Sequence, residues 1–68
     1  MKQKFSERLK ELRSQAHLSQ KQLADKIGSS PRIICYWELG SSEPTASFIV
    51  ALANCFGVST DYLLCLED

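Results

Sequence analysis

Between Ile27 and Pro31 the chain has only Gly28, Ser29 and Ser30 in which to end one helix and begin another. Upstream, Ser19 and Gln22 stand at the spacing of a capping box, in which each side chain satisfies a backbone N–H left open at a helix start. Leu23, Ala24 and Ile27 then recur at helical spacing and form one inner stripe. Gly28 stops that helix, because the stop needs positive φ and glycine takes it without a Cβ clash. Ser30 is a good N-cap, and Pro31 fits the first helical position, where its missing N–H costs nothing. Ile34 and Trp37 lie three apart on the inner face of this next helix, and Gly40 ends it. A connection this short forces the second helix sharply across the first, and Ala24 is small where the two must approach.

Such a pair has the geometry of a helix-turn-helix, here at about residues 20–39. The flanks read as helices too. Phe5, Leu9, Leu12 and Ala16 share a stripe, which places a first helix at roughly residues 4–16. Thr45 is positioned to cap a fourth helix with inner stripe Ala46, Ile49, Leu52, Ala53 and Phe56, stopped by Gly57. Ser59 caps a last short helix, with Asp61 near its positive end and Leu63, Leu64 and Leu66 as apolar contacts. No stretch alternates like a strand, and no hairpin dipeptide occurs. The expected fold is all-α, five helices in a single domain spanning 1–68. A chain of 68 residues has a thin core, and Trp37 is its largest candidate, among Phe5 or Leu9, Ile34 and the fourth helix.

The charges sum to zero but are divided along the chain. Residues 1–32 hold all eight basic groups against Glu7, Glu11 and Asp25, a balance of +5; residues 33–68 hold five acidic groups and no Lys or Arg. That division suits one half to an anionic partner. Catalysis is not indicated, for there is no phosphate loop, nucleophile elbow or HExxH motif. Cys35, Cys55 and Cys65 have neither disulfide-framework nor zinc spacing, and His17 is the single imidazole. The thiols read as small apolar side chains in a reducing compartment, with no metal or cofactor. The longest apolar run, Phe48 to Ala53, is six residues, against the roughly 20 a membrane helix needs. With no basic-then-apolar leader, a cytoplasmic protein without membrane association is expected.

The run LSQKQLADKIGSSPRIICYWELGSSEPT, followed by LANCFGVSTDYLL, resembles the phage repressor/Cro-type helix-turn-helix family, also called the Xre family. The likeness lies in the Leu-Ser-Gln opening, Gln-x-x-Leu-Ala-x-x-x-Gly, Ile-x-x-Trp-Glu, Gly-x-x-x-Pro and Gly-Val-Ser-x-Asp-x-Leu-Leu, across about residues 5–66. It implies a compact five-helix, lambda-repressor-like DNA-binding domain whose third helix enters the major groove of double-stranded DNA, usually as a dimer on a palindromic operator. Ser19 and Gln20 fall at the start of helix 2, where the family contacts phosphate and braces a base-reading side chain. Ser30, Pro31, Arg32, Cys35 and Tyr36 fall on the outward face of the recognition helix, with Arg32 and Tyr36 directed at base edges. Arg13 and Glu38 occupy the positions of a structural ion pair. Three departures stand out. Ser29 replaces an apolar turn residue, and Pro31 replaces a hydrogen-bonding side chain. The loop from Ser41 to Glu43 lacks the cation that relatives often place on phosphate, and Leu39 beside it is also uncharged.

The implied function is sequence-specific DNA binding by a small transcriptional regulator, a repressor, with no small-molecule effector evident. A different class, a protein-interaction module of the same fold such as an antitoxin-like or anti-regulator partner, is suggested by Phe48, Val50 and Cys55 outside the inner stripe of helix 4. Those residues could instead serve a weak homodimer, for which Phe48, Tyr62 and Leu66 are the candidates, or simply finish the core. Tyr62 and Leu66 are four apart and would share a helical face.

Overall fold

A computed structural model describes residues 4–67. Its elements are α1 (Phe5–Gln15), α2 (Gln20–Ile27), α3 (Pro31–Leu39), α4 (Ala46–Phe56) and α5 (Thr60–Leu63), with no strand among the described residues. The starts follow the capping chemistry. Ser19 Oγ accepts from the Gln22 N–H at 3.0 Å, while the Ser19 N–H donates to Gln22 Oε1 at 2.8 Å. Ser30 Oγ accepts from the Ile33 N–H at 3.3 Å, and Ser59 Oγ from the Tyr62 N–H at 3.0 Å. Thr45 differs: its backbone takes the N-cap conformation, but its side chain makes no cap bond. Thr45 and Ala46 are both exposed, so water can serve the open N–H groups of that turn. Ala46 therefore does not join the buried stripe. From the first turn of α4, Phe48 packs on the core instead.

The ends of the helices share one motif. After each helix a residue with positive φ is followed by an N–H that donates five residues back: Leu18 to Arg13, Ser29 to Ala24, Ser41 to Tyr36, Val58 to Ala53 and Leu66 to Asp61, at 2.8–3.1 Å. This is the Schellman closure, which satisfies carbonyls that a helix end leaves open. At three ends the positive-φ residue is glycine; at the other two it is His17 (φ 58) and Cys65 (φ 64). α1 accordingly stops at Gln15, and Ala16, expected as its last buried residue, is an exposed C-cap. α5 stops at Leu63, so Leu66 lies beyond the helix and does not share a helical face with Tyr62.

All five helices contribute to the core: Leu9 and Leu12, Leu23 and Ala24, Ile34 and Trp37, Leu52 and Ala53, and Leu63. Trp37 is buried, and its ring meets Phe48 at a centroid distance of 5.4 Å and a tilt of 55°. Such pairs add about 0.5–1.5 kcal/mol beyond burial. Phe48 and Cys55, assigned from sequence to an outer face of α4, are thus packed against the core, while Val50 stays exposed. The reason is that α4 lies in a corner between α2 and α5 and buries more than one stripe. Arg8 is buried as well. It donates from Nη1 to the Tyr62 carbonyl at 2.8 Å, and its guanidinium lies 3.9 Å from the centre of the Tyr62 ring. That contact fastens α1 to α5 through both charge and ring face.

Candidate nucleic-acid interface

Glu38, one residue from the end of α3, holds three helices through one carboxylate. Its Oε2 accepts from Arg13 Nε at 2.6 Å, and its Oε1 accepts from Arg13 Nη2 and from Gln20 Nε2, both at 3.1 Å. Arg13 comes from α1 and Gln20 from the first residue of α2. Arg13 Nη1 also donates to the Leu18 carbonyl at 2.8 Å, which ties in the connection between those helices. The pair is largely shielded, with Glu38 and Arg13 side chains 5% and 16% exposed. A two-pronged guanidinium–carboxylate bond is directional as well as strong, so it fixes the rotation of α3 about its axis. The Arg13 pKa is raised above its ordinary value, first by the hydrogen bond to Glu38; burial opposes this and the charge of Glu38 adds to it. The guanidinium keeps its charge inside the fold.

With Ile34, Trp37 and Glu38 turned inward, the outer surface of α3 is what remains. Ser30, Pro31, Arg32, Ile33, Tyr36 and Leu39 are exposed, and Cys35 is half-buried at the flank of this face. The two serines at the helix starts spend an acceptor on the cap, and a hydroxyl that accepts still has its proton to donate. Ser19 and Ser30 can therefore give hydrogen bonds outward. Gln20 is half-buried, because one amide hydrogen is committed to Glu38; its second N–H and its oxygen are not used by that bond. Lys21 is paired with Asp25 at 3.2 Å. Lys10, Lys26 and Arg32 are exposed and have no ion pair among the described residues. The turn depends on Gly28 (φ 77), whose missing Cβ would meet nothing within 4 Å. Its requirement is backbone conformation, not space.

The candidate dimer residues are placed in different settings. Phe48 faces Trp37, Tyr62 is half-buried under Arg8, and Leu66 is 66% exposed. A groove of about 450 Å³ runs beside Tyr62, walled by Leu12, Phe56 and Val58. No group of three or more His, Cys, Asp or Glu is arranged as a metal site among the described residues. No helix among them is long and apolar enough to cross a membrane.

Two residues escaped the sequence reading. Ile33 is 37% exposed beside the wholly buried Ile34, and the signal was the Ile-Ile pair itself, since Ile34 shares the inner face with Trp37 and Ile33, about 100° round the helix, falls toward its edge. Arg8 was counted as one basic group among eight; its place on the stripe beside Leu9 and Leu12 marked it for partial burial.

Residues 6–68 match the helix-turn-helix domain family, and the chain belongs to that family. It is similar to the HTH-type transcriptional regulator YqaE of Bacillus subtilis, with 43% identity over 60 residues, covering 88% of this chain and 52% of that one. Among solved structures it is similar to the P22 c2 repressor protein in complex with synthetic operator 9T: TM-score 0.90, 31% identity, 96% of this chain and 98% of that chain. It is also similar to part of hydroxypropylphosphonic acid epoxidase from S. wedmorenis, at TM-score 0.79 and 31% identity, covering 88% of this chain and 32% of that chain. The five-helix, lambda-repressor-like fold is thereby established, and the family's business is DNA-binding transcription regulation. The chain spans about half the length of the curated relatives it matches.

Proposed function

We propose that this chain, taken as one domain over residues 1–68, binds double-stranded DNA sequence-specifically and represses transcription by inserting α3 into the major groove. The observation that carries the reading is the Glu38 clamp. It grips the back of α3 from α1 and α2 and leaves Arg32 and Tyr36 exposed on the opposite face. A recognition helix needs that combination, because base-edge hydrogen bonds discriminate only when the donor is held still. In this reading Arg32 and Tyr36 meet base edges, with Pro31 and Cys35 beside them. Ser19, Gln20 and Ser30 hold phosphates at helix N-termini, where open N–H groups favour anions. The domain acts in the cytoplasm as a weak homodimer, without catalysis, cofactor or small-molecule effector.

Two recognition helices entering successive major grooves must sit about 34 Å apart. The exposed Leu66 and the groove beside Tyr62 lie at the C-terminal end, and they support a dimer contact there. The similarity to the P22 c2 repressor bound to its operator supports the DNA reading and repression.

The experiment is selection of bound duplexes from a random pool, followed by gel shifts across salt concentrations. The expected result is one enriched, palindromic sequence whose log affinity falls linearly with log salt, as phosphate-neutralising contacts require. Failure to enrich any sequence, with no salt-dependent retention of duplex, would leave the protein-interaction reading in its place. Sedimentation showing a monomer both free and on the operator would remove the dimer.

A further inference from the structure

We infer that Ile33 is a specificity-determining residue that packs on the 5-methyl group of a thymine in the major groove, with the ring of Tyr36 closing the contact. The inference rests on the DNA-binding reading above and deepens it. The exposed face of α3 is largely apolar. Ile33 is 37%, Tyr36 41% and Leu39 71% exposed, and Pro31 is exposed with them. Along the helix itself, Arg32 is the charged side chain that faces outward, because Glu38 is turned inward to Arg13 and Gln20. A guanidinium fork and one phenolic hydroxyl can distinguish about one or two base pairs by hydrogen bonding. Beyond the Ser30 cap, the remaining outward side chains, Pro31, Ile33 and Leu39, are apolar, so further direct readout along this face is by apolar contact.

Ile33 is not surplus core. Its neighbour Ile34 is wholly buried in the core, while Ile33 is 37% exposed on the surface of the helix. Nor does a branched side chain serve the helix itself, since branching at Cβ slightly lowers helix propensity. Its apolar partner lies outside the chain. Within a duplex, the apolar group that base edges present in the major groove is the thymine 5-methyl. The charge of the surroundings agrees: Lys26 and Arg32 are exposed close by in sequence, and all eight basic groups lie in residues 1–32, which suits a polyanion better than a second, equally basic copy of this face. Ile33 and Tyr36 are three apart and so adjacent on the helix surface. Both lie nearer than Leu39 to the N-terminal end of α3, the end that meets base edges in helix-turn-helix proteins.

The test uses the operator selected from the random pool, remade with deoxyuridine in place of each thymine in turn. That exchange removes one methyl and leaves base pairing intact. Burying a methyl is worth about a three- to fivefold change in affinity. The expected result is a loss of that size at one thymine in each half-site that Ile33→Ala abolishes. The variant should bind thymine and deoxyuridine operators alike, at the wild-type affinity for the deoxyuridine one. Alanine is a better helix former at an exposed site, so the variant keeps the fold; an unchanged circular dichroism melt verifies it. Equal wild-type binding of every deoxyuridine operator, or discrimination that survives Ile33→Ala, overturns the inference while leaving DNA binding intact. Selection of no sequence at all overturns both.

Discussion

The first three helices and the last two are held together by different physics. α1, α2 and α3 converge on a single carboxylate, with Arg13 and Gln20 hydrogen-bonded to Glu38 behind the recognition helix. α4 and α5 are held chiefly by burial. Leu52, Ala53 and Leu63 enter the core, with Phe48, Phe56, Val58 and Tyr62 packed round it. Apolar burial is strong but tolerates some rotation and repacking. A two-pronged ion pair supplies less net energy and far more direction. The half that must present side chains at fixed angles has the directional device, together with all eight basic groups. The half that supports it has the packing and none of them.

If that division is right, the largest stability loss comes from the apolar seam between the halves. Trp37 belongs to α3 but stacks on Phe48 of α4, so Trp37→Ala should cost about 3–5 kcal/mol. That is a large part of the roughly 5–15 kcal/mol a small domain has. Urea unfolding followed by circular dichroism measures it, and a cooperative variant of near wild-type midpoint would contradict the packing.

The polar clamp should matter less to stability and more to geometry. Glu38→Ala leaves a shielded guanidinium without its carboxylate, at a cost of about 2–3 kcal/mol. Adding Arg13→Met should recover part of that loss, because no charge is then stranded. A double-mutant cycle reads the coupling directly, and strictly additive losses would show that the pair holds nothing in place.

Smaller still are the backbone effects at the two kinds of helix stop. Gly28→Ala places a side chain at φ 77 in open space, so its cost is conformational alone, about 1–2 kcal/mol. His17 already bears such a strain at φ 58. His17→Gly should therefore stabilise by about 0.5–1 kcal/mol, the relief being partly offset by the freedom glycine gains in the unfolded chain. Thermal melts of both variants, moving in opposite directions, are the expected result; a destabilised His17→Gly would mean that the imidazole has a contact worth more than the strain.

These two stops also show where the sequence was legible. Three of the five Schellman closures use glycine and could be read at Gly28, Gly40 and Gly57. His17 and Cys65 are marked less plainly than glycine: the end of α1, expected at 16, falls at Gln15 with Ala16 as its C-cap, while α5 stops at Leu63, short of the Leu66 expected on it. Caps at Ser19, Ser30 and Ser59 were readable because the hydroxyl bonds locally, within three residues. The Arg13–Glu38 contact joins residues 25 apart, and it came from the family resemblance because no local spacing could supply it. Ala46 was misplaced, and Phe48 left open between dimer and core, for another reason. A stripe at helical period identifies one buried face, whereas α4 meets neighbours on more than one side and buries an aromatic from outside that stripe.

The central claim is that a clamped α3 reads bases with its outer face while the helix starts only anchor the phosphates. The most direct measurement is the affinity of Arg32→Ala and Gln20→Ala for the selected operator and for every single-base change within it. Arg32→Ala should lose about 1–3 kcal/mol on the best site and lose its preference at one base pair, whereas Gln20→Ala should weaken all the sequences by a similar factor. If Arg32→Ala instead lowers every affinity equally, Arg32 is an anchor, and the outer face of α3 does not read sequence in the way its geometry suggests.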